Sequence, residues 1–291
     1  MFPKDDSSLW RRRPSVSRRQ VLGSIGAVSL SGLAGCAWSS PPDESQPTTS
    51  GESVIRGTSF EGMDLVVELR DGHDVSRLNL IAPDGTLFSG AEVATGVRTV
   101  RLPILSIEAG GASKHYTPGT HELVAVVGDE TRSHSIDLRP DLAITDIRQY
   151  REGSGGDYGK LIVTVENTGS APTWIYSIVY EDAPNYEANV ELWETPSIPV
   201  LTSPEDQKES IVYPSESQEY VSQSTPILFD DESQQKCNEE EIEMTIVVGV
   251  ATTSSLQKQV VVRADGELVS AGVLGRYTCN RIRVDVREAS E

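Results

Sequence analysis

The sequence predicts an all-β protein made of two tandem antiparallel β-sandwiches. From Val54 onward, apolar and polar residues alternate with a period of two, which is typical of strands with one buried face. Glycine- and proline-containing turns separate these short runs. Apolar runs of helical period long enough to cover a sheet are missing. At 291 residues, the chain is long enough for two such domains.

The first domain is predicted over residues 54–139. Its clearest alternating runs are Leu65, Val67 and Leu69, and then Leu123, Ala125 and Val127. The intervening turn signals are Asp71-Gly72, Pro83-Asp84-Gly85 and Thr117-Pro118-Gly119. Turns at this short spacing are the rhythm expected of a sandwich.

The second domain is predicted over residues 140–291. Pro140 interrupts strand pairing, and a new alternating run begins at Leu142. Strands are predicted at Leu161–Val165 and later at Ile242–Val250, Val260–Ala264 and Ile282–Val286. The segment 181–241 is longer and more irregular than a minimal sandwich requires. We expect it to be an insertion and a place to look for function, since loops on rigid scaffolds carry most binding surfaces.

A paired arginine, Arg18-Arg19, precedes a weakly apolar run that ends in small residues before Cys36. This pattern predicts a twin-arginine signal peptide over residues 1–35, cleaved before Cys36, with lipid attached to that sulfur. The alternatives are a transmembrane anchor and a basic tail that precedes an ordinary helix. The run from Val21 to Gly35 is shorter than the ~20 mainly apolar residues that a spanning helix needs. The expected location is therefore the outer face of the cell membrane, with the lipid on Cys36 as the membrane contact.

Residues 36–53 are rich in proline, serine, threonine and acidic residues. Such a composition cannot bury a core, so this segment is predicted to be a flexible stalk between the lipid and the folded domains.

The chain is strongly acidic, with a net charge of −19. Removal of residues 1–35 takes away six basic and two acidic residues, which lowers the net charge to −23. Such a surface repels nucleic acid, whose binding needs lysine and arginine to displace counterions from phosphate. In about 1 M salt the Debye length falls to ~3 Å and the self-repulsion largely vanishes. The charge therefore excludes nucleic acid as a partner and indicates adaptation to high salt. The alternative is an ordinary acidic surface protein of a bacterium.

Two cysteines remain after Cys36, at Cys237 and Cys279. In an exported chain such a pair most economically forms a disulfide. Free buried thiols and half of a metal site are the alternatives. A metal site is disfavoured because no CxxC motif and no paired histidine lies near these cysteines in the sequence.

The sequence contains no recognisable catalytic or metal-binding motif. The histidines are His73, His115, His121 and His134, and surface positions in loops are the favoured interpretation for them. Asp71, Asp74 and Asp84 lie in predicted turns without the spacing of a calcium loop. The glycine-rich segment 153–160 lacks the spacing of a phosphate-binding loop. We therefore expect neither an enzyme, nor a metal, nor a cofactor.

Aromatic residues concentrate on one predicted strand and in the segment that follows it. Trp174, Tyr176, Ile178 and Tyr180 are predicted on one strand face, with Tyr186 and Trp193 beyond it. An exposed row of this kind stacks on sugar rings or anchors a partner protein. The alternative, a core face, is favoured because the chain has only 4 phenylalanines.

Two segments resemble immunoglobulin-like modules. One is Tyr116-Thr117-Pro118-Gly119-Thr120-His121-Glu122-Leu123, and the other is Val165-Glu166-Asn167-Thr168-Gly169, which is similar to the strand-and-turn corner of CARDB-like domains. With its signal and acidic charge, the chain resembles twin-arginine-exported lipoproteins of haloarchaea. The resemblance implies a surface protein that binds or scaffolds an unknown surface protein or polysaccharide. A solute-binding or accessory subunit of a surface or transport complex is the first alternative, and a secreted hydrolase is the second.

Overall fold

The computed structural model describes residues 53–107, 113–152, 155–185, 196, 198–230, 234–272 and 275–287. These residues form antiparallel β-sheets joined by turns and short 3-10 helices. The all-β sandwich prediction is therefore confirmed. The predicted signal peptide with Arg18 and Arg19, Cys36, the stalk up to residue 52, Tyr186 and Trp193 lie outside the described residues. In the described part, no helix is long and apolar enough to cross a membrane.

The first half of the described chain forms one sandwich. Its strands are β1 (Ile55–Glu61), β2 (Asp64–Leu69), β3 (Val75–Ile81), β4 (Leu87–Glu92), β5 (Thr99–Pro103), β6 (Leu105–Ser106), β7 (Lys114–His115), β8 (Gly119–Val127) and β9 (Glu130–Leu138). One sheet has the order β1-β2-β5 and the other β4-β3-β8-β9, while β6 and β7 pair as a short ribbon. Hairpins thus connect most neighbouring strands, as the spacing of the turns predicts.

The alternation that predicts β2 and β8 corresponds to burial. Leu65, Val67 and Leu69 are buried and Glu68 is exposed, although Val66 on the other face is buried as well. The turn after β3 is closed by Asp84, whose carboxylate accepts hydrogen bonds from the backbone and the hydroxyl of Thr86 at 2.9 and 2.7 Å. Gly85 follows with a φ of 83°, a backbone region that favours glycine.

The second half forms a larger sandwich. Its strands are β10 (Leu142–Gln149), β11 (Leu161–Asn167), β12 (Thr173–Glu181), β13 (Leu201–Ser203), β14 (Ile211–Val212), β15 (Glu216–Ser222), β16 (Asn238–Val250), β17 (Leu256–Ser270) and β18 (Tyr277–Val286). Short 3-10 helices span Gly155–Gly159, Gln207–Ser210 and Gln234–Cys237. One sheet has the order β10-β11-β15-β13, and the facing sheet has the order β14-β12-β16-β17-β18.

The segment 181–241, which the sequence predicts as an insertion, supplies strands of this second sandwich. β15 pairs with β11 along its length and lies inside its sheet, and Tyr220 on β15 has no exposed surface. The prediction that the segment lies outside the sandwich is therefore wrong for β13, β14 and β15. The physical reason is composition, because β15 reads Glu-Ser-Gln-Glu-Tyr-Val-Ser and lacks the alternating apolar set that identifies a strand.

The buried apolar side chains form two clusters, and the first receives residues from both halves of the chain. Most of its members come from residues 54–138, but Ala171, Trp174, Tyr176, Ile211 and Ala251 also belong to it. The second cluster is drawn from residues between Ile147 and Ile282. The described residues of both halves accordingly belong to one compact unit. Side chains of the second sandwich thus complete the core of the first.

Candidate functional site

The described aromatic residues of the predicted row, Trp174, Tyr176 and Tyr180, are buried and do not form a binding surface. Trp174 and Tyr180 have 0% of their surface exposed, and Tyr176 has 5%. The core alternative describes these residues. Burial in the interior also raises the pKa of the Tyr180 phenol to about 12, offset in part by its hydrogen bond with Ser222.

These aromatic residues do not share one strand face either. Trp174 and Tyr176 belong to the first cluster, whereas Ile178 and Tyr180 belong to the second. The pairing of β12 with β16 shifts register between Ile175 and Ser177. An extra residue in a strand reverses which face the following side chains point to, so a strict period of two fails at this point.

Two of the four histidines, His115 and His121, are more enclosed than the surface loops that the sequence favours, whereas His134 is exposed, on β9. His121 has no exposed surface; its Nδ1 lies 3.0 Å from the carbonyl oxygen of Gly119, and its ring meets Phe88 and Tyr116 edge-on. His115 is half-buried, and its ring packs edge-on against Trp174 at 6.1 Å. Inward-facing positions of β8 are core positions, and a histidine placed there is enclosed with its apolar neighbours.

In the described part of the chain, no group of three or more histidine, cysteine, aspartate or glutamate side chains could hold a metal ion. Asp71 instead pairs with Arg98 at 3.0 Å, and Asp84 closes its turn as described above. In the glycine-rich segment, Lys160 lies 3.1 Å from Asp157 and donates to the hydroxyl of Thr202 at 3.1 Å. These charged side chains stabilise loops.

The second sandwich has two ends with different surroundings. One end meets the first sandwich, where Tyr116 donates a hydrogen bond to the carbonyl of Pro172 at 2.8 Å and Tyr213 donates to that of Gly62 at 3.1 Å. The opposite end is called the outer end here. It contains the last residues of β10, β12, β15 and β17 and the first residues of β11, β16 and β18. Loop-bearing ends of sandwiches are common binding surfaces.

A disulfide between Cys237 and Cys279 stabilises the outer end, which confirms the predicted pair. Their Cα atoms are 5.5 Å apart, and both residues are buried. The bond connects the 3-10 helix Gln234–Cys237 to the beginning of β18. Because it links residues separated by 42 positions, it strongly restricts the unfolded chain.

Gln149 joins three segments of the outer end with one side chain. Its amide nitrogen donates to the carbonyl oxygens of Tyr158 and Asn280, at 2.9 and 3.3 Å, and its amide oxygen accepts from the backbone of Ile282 at 3.1 Å. The residue is 7% exposed. It pairs with the edge of β18 as a neighbouring strand would, and it holds the loop at Tyr158 against that edge.

Asp265 on β17 holds two arginines of β18. The residue is 7% exposed, and its carboxylate accepts hydrogen bonds from Arg281 and, at 2.6 Å, from Arg283. Burial by itself raises the pKa of Asp265, but the hydrogen bonds and charges of the two arginines outweigh it and hold the pKa below its usual value. The carboxylate therefore stays ionised and fixes the guanidinium of Arg281.

A β-bulge follows directly on β17. The pairing with β18 shifts register between Asp265 and Leu268, and Gly266 has a φ of 90°. A side chain at Gly266 would collide with Oδ1 of Asn280, the oxygen that accepts a 3.0 Å hydrogen bond from the backbone of Glu267. The bulge therefore requires glycine and is locked by Asn280.

These fixed elements surround a cleft at the outer end, referred to below as the outer-end cleft. Its volume is about 640 Å³, it is open to solvent, and it is lined by Arg151, Tyr158, Gly266, Glu267, Asn280 and Arg281. Among the described residues, the charged groups of Arg151 and Glu267 and the hydroxyl of Tyr158 have no hydrogen-bond or ion-pair partner. The cleft thus combines rigid walls with polar groups that are free to bind.

Sequence reasoning missed the outer-end cleft. Its residues come from the loop between β10 and β11 and from the bulged part of β17 and β18, which are far apart in the chain. The one local signal was Gly266, a glycine inside a strand pattern, which often marks a bulge.

Comparisons with known proteins add no functional assignment. No protein-family model and no curated protein matches the chain. One solved structure with which it aligns is that of a β-glucuronidase from glycoside hydrolase family 2, at 10% sequence identity and a TM-score of 0.20. The alignment covers 69% of this chain and 18% of the other, so the chain spans less than a fifth of that enzyme.

Proposed function

We propose that this protein is a cell-surface binding or scaffolding protein without catalytic activity. In this proposal it is exported by the twin-arginine route, attached to the outer face of the membrane through lipid on Cys36, and adapted to high salt. The observation that carries the binding role is the outer-end cleft, where free polar groups lie on a fixed frame.

The rigidity of that frame supports binding. Three independent connections hold the walls: the disulfide of Cys279, the amide of Gln149 and the carboxylate of Asp265. A site whose walls are already in place loses less conformational entropy when a ligand arrives, which leaves more of the contact energy as affinity.

The surface charges support adaptation to salt. Exposed ion pairs such as Arg77 with Glu92, at 3.2 Å, lie in strands on a chain whose net charge is −19. Exposed pairs of this type contribute little individually. Concentrated salt screens the repulsion among the excess carboxylates, and this screening stabilises the folded state more than the unfolded state.

Membrane attachment is tested by fractionating cells that express the full chain or a Cys36→Ala variant. We expect the unaltered chain in the membrane fraction and the variant in the medium, with Ser39→Ala as a matched control that stays with the membrane. A Cys36→Ala chain that remains equally membrane-bound overturns the anchoring proposal.

The export route and the binding role need separate measurements. Replacement of Arg18 and Arg19 by lysine should retain the precursor inside the cell, because the twin-arginine signal requires arginine; normal export of that variant overturns the route. For binding, the full chain is recovered from membranes solubilised in high salt. A stoichiometric protein or polysaccharide in the eluate supports the proposal, and an eluate with the chain alone contradicts it.

A further inference from the structure

We infer that the outer-end cleft binds a saccharide that carries acidic groups, either carboxylate or sulfate. The inference rests on the proposed binding function and names the ligand class for that site. It follows from the hydrogen-bonding groups of the cleft, from their charge balance and from their fixed geometry.

The cleft offers both hydrogen-bond donors and acceptors. The donors are the Arg151 guanidinium, the terminal nitrogens of Arg281 and the amide nitrogen of Asn280, whose oxygen is already used by the backbone of Glu267. The Glu267 carboxylate accepts only, and the Tyr158 hydroxyl does both. Sugar hydroxyls also donate and accept, and two neighbouring hydroxyls match the paired atoms of a guanidinium or a carboxylate. A simple anion would leave Glu267 unused.

The charge balance of the cleft differs from that of the chain. Two guanidiniums, Arg151 and Arg281, face one carboxylate, Glu267, on a protein whose net charge is −19. Including Asp265 and the second arginine that it holds, Arg283, leaves the same excess of one positive charge. Arginine recognises carboxylate and sulfate through two parallel hydrogen bonds. An acidic group on the saccharide is therefore expected at Arg151, whose charge no described residue neutralises.

The geometry suits a chain of sugars. The volume of about 640 Å³ lies within the usual range of ligand sites, and the cleft is open to solvent, so a polymer can continue beyond it. Gln149 and Asp265 keep Tyr158, Asn280 and Arg281 in position before the ligand binds. These residues, which are held in position before binding, thus lie in the same cleft as the unpaired guanidinium of Arg151.

The test is calorimetric titration of the full chain in detergent at about 1 M salt, where long-range electrostatic attraction is screened. The probes are oligogalacturonate, sulfated dextran, neutral dextran and polyglutamate. We expect oligogalacturonate or sulfated dextran to bind at least about tenfold more tightly than neutral dextran and polyglutamate. The stronger of the two acidic sugars identifies the acidic group. Equal binding of polyglutamate, or no binding of either acidic sugar, overturns the inference.

Two variants assign the binding to the cleft. Arg151→Gln should weaken binding of the acidic sugar about tenfold, whereas Arg101→Gln, an exposed arginine of the first sandwich, should leave it unchanged. Glu267→Gln removes a negative charge from the cleft, and this change acts equally on the affinity for every anion. The ratio of the acidic-sugar affinity to the polyglutamate affinity therefore reports only the contact of Glu267 with sugar hydroxyls. That ratio should fall; an unchanged ratio, or equal effects of the two arginine variants, contradicts the inference.

Failure of this inference is distinguishable from failure of the proposed function. If the acidic sugars do not bind but the chain is membrane-attached and recovers a stoichiometric protein, the surface binding role stands and the saccharide assignment falls.

Discussion

The side-chain oxygen of Gln149 accepts a 3.1 Å hydrogen bond from the backbone N–H of Ile282, and so one residue of β10 pairs with the edge strand of the facing sheet. Strand edges expose unpaired backbone groups, which are costly when buried and prone to association when exposed. This side chain pairs with two backbone groups on the edge of β18, those of Ile282 and Asn280, and holds one wall of the outer-end cleft.

The replacement Gln149→Ala should lower the free energy of unfolding by about 2 kcal/mol, because it leaves a buried N–H and two carbonyls without partners. Urea unfolding at constant salt measures this loss. The matched control is Gln259→Ala on exposed β17 surface, for which a change within about 0.5 kcal/mol is expected. Equal stability of the two variants would show that the amide contacts are not important.

Loss of the disulfide should destabilise the protein by about 4 kcal/mol in the chain-entropy model. The variant replaces Cys237 and Cys279 with alanine, and its unfolding is compared with that of the oxidised chain. Adding a reductant should lower the stability of the unaltered chain and leave the variant unchanged. An unaltered chain that is insensitive to reductant would contradict a stabilising disulfide.

The replacement Trp174→Ala should cost about 3–5 kcal/mol, since it removes a fully buried indole from the cluster that both sandwiches share. The conservative change Trp174→Phe retains part of the contact and should cost clearly less. Denaturant unfolding measures both. A loss below about 1 kcal/mol for Trp174→Ala would mean that the shared core contributes little.

Acid stability should depend on Asp265. Its pKa in the folded protein is held below the ordinary value, so its contribution is present above about pH 4 and is lost as the pH falls through the folded-state pKa. Asp265→Asn should therefore be less stable at neutral pH, and the difference from the unaltered chain should shrink in acid. Asp129→Asn, in the exposed turn between β8 and β9, serves as the control. A difference that is constant across pH contradicts the prediction.

Alkaline stability should depend on the buried tyrosines. Burial raises the pKa of Tyr116, Tyr180 and Tyr220, in the case of Tyr180 to about 12. In the unfolded chain tyrosine ionises near pH 10, so stability is full below that pH and falls as the pH rises above it. Tyrosinate absorbance should reach its full value only together with unfolding. Complete ionisation of a still-folded chain would overturn this expectation.

The sequence predicted strands where side chains alternate and missed those where they do not. The pattern of Leu65, Val67 and Leu69 predicts β2, because one face of that strand is in the core. β15 was missed since Tyr220 and its neighbour are the only apolar residues among polar ones. The prediction that Tyr176 and Tyr180 share one strand face is wrong for a different reason. The pairing of β12 with β16 shifts register before Ser177, and the polarity of the local side chains does not indicate such a shift.

The same distinction applies to the site. The pairing of Cys237 with Cys279 was predictable from residue type and the expected compartment. Arg151 and Glu267 were not, because nothing in either local sequence indicates that their loops meet.

The sequence by itself determined the strand class, the turns and the cysteine pair, because hydrophobic periodicity, proline and glycine geometry and thiol chemistry are local properties. Tertiary structure alone decided which sheet each strand joins, which aromatic side chains the two sandwiches share and which polar groups remain unpaired at the outer end. Those outcomes depend on contacts between residues far apart in the chain, where the register of one strand, such as β17 at Gly266, sets the position of every side chain beyond it.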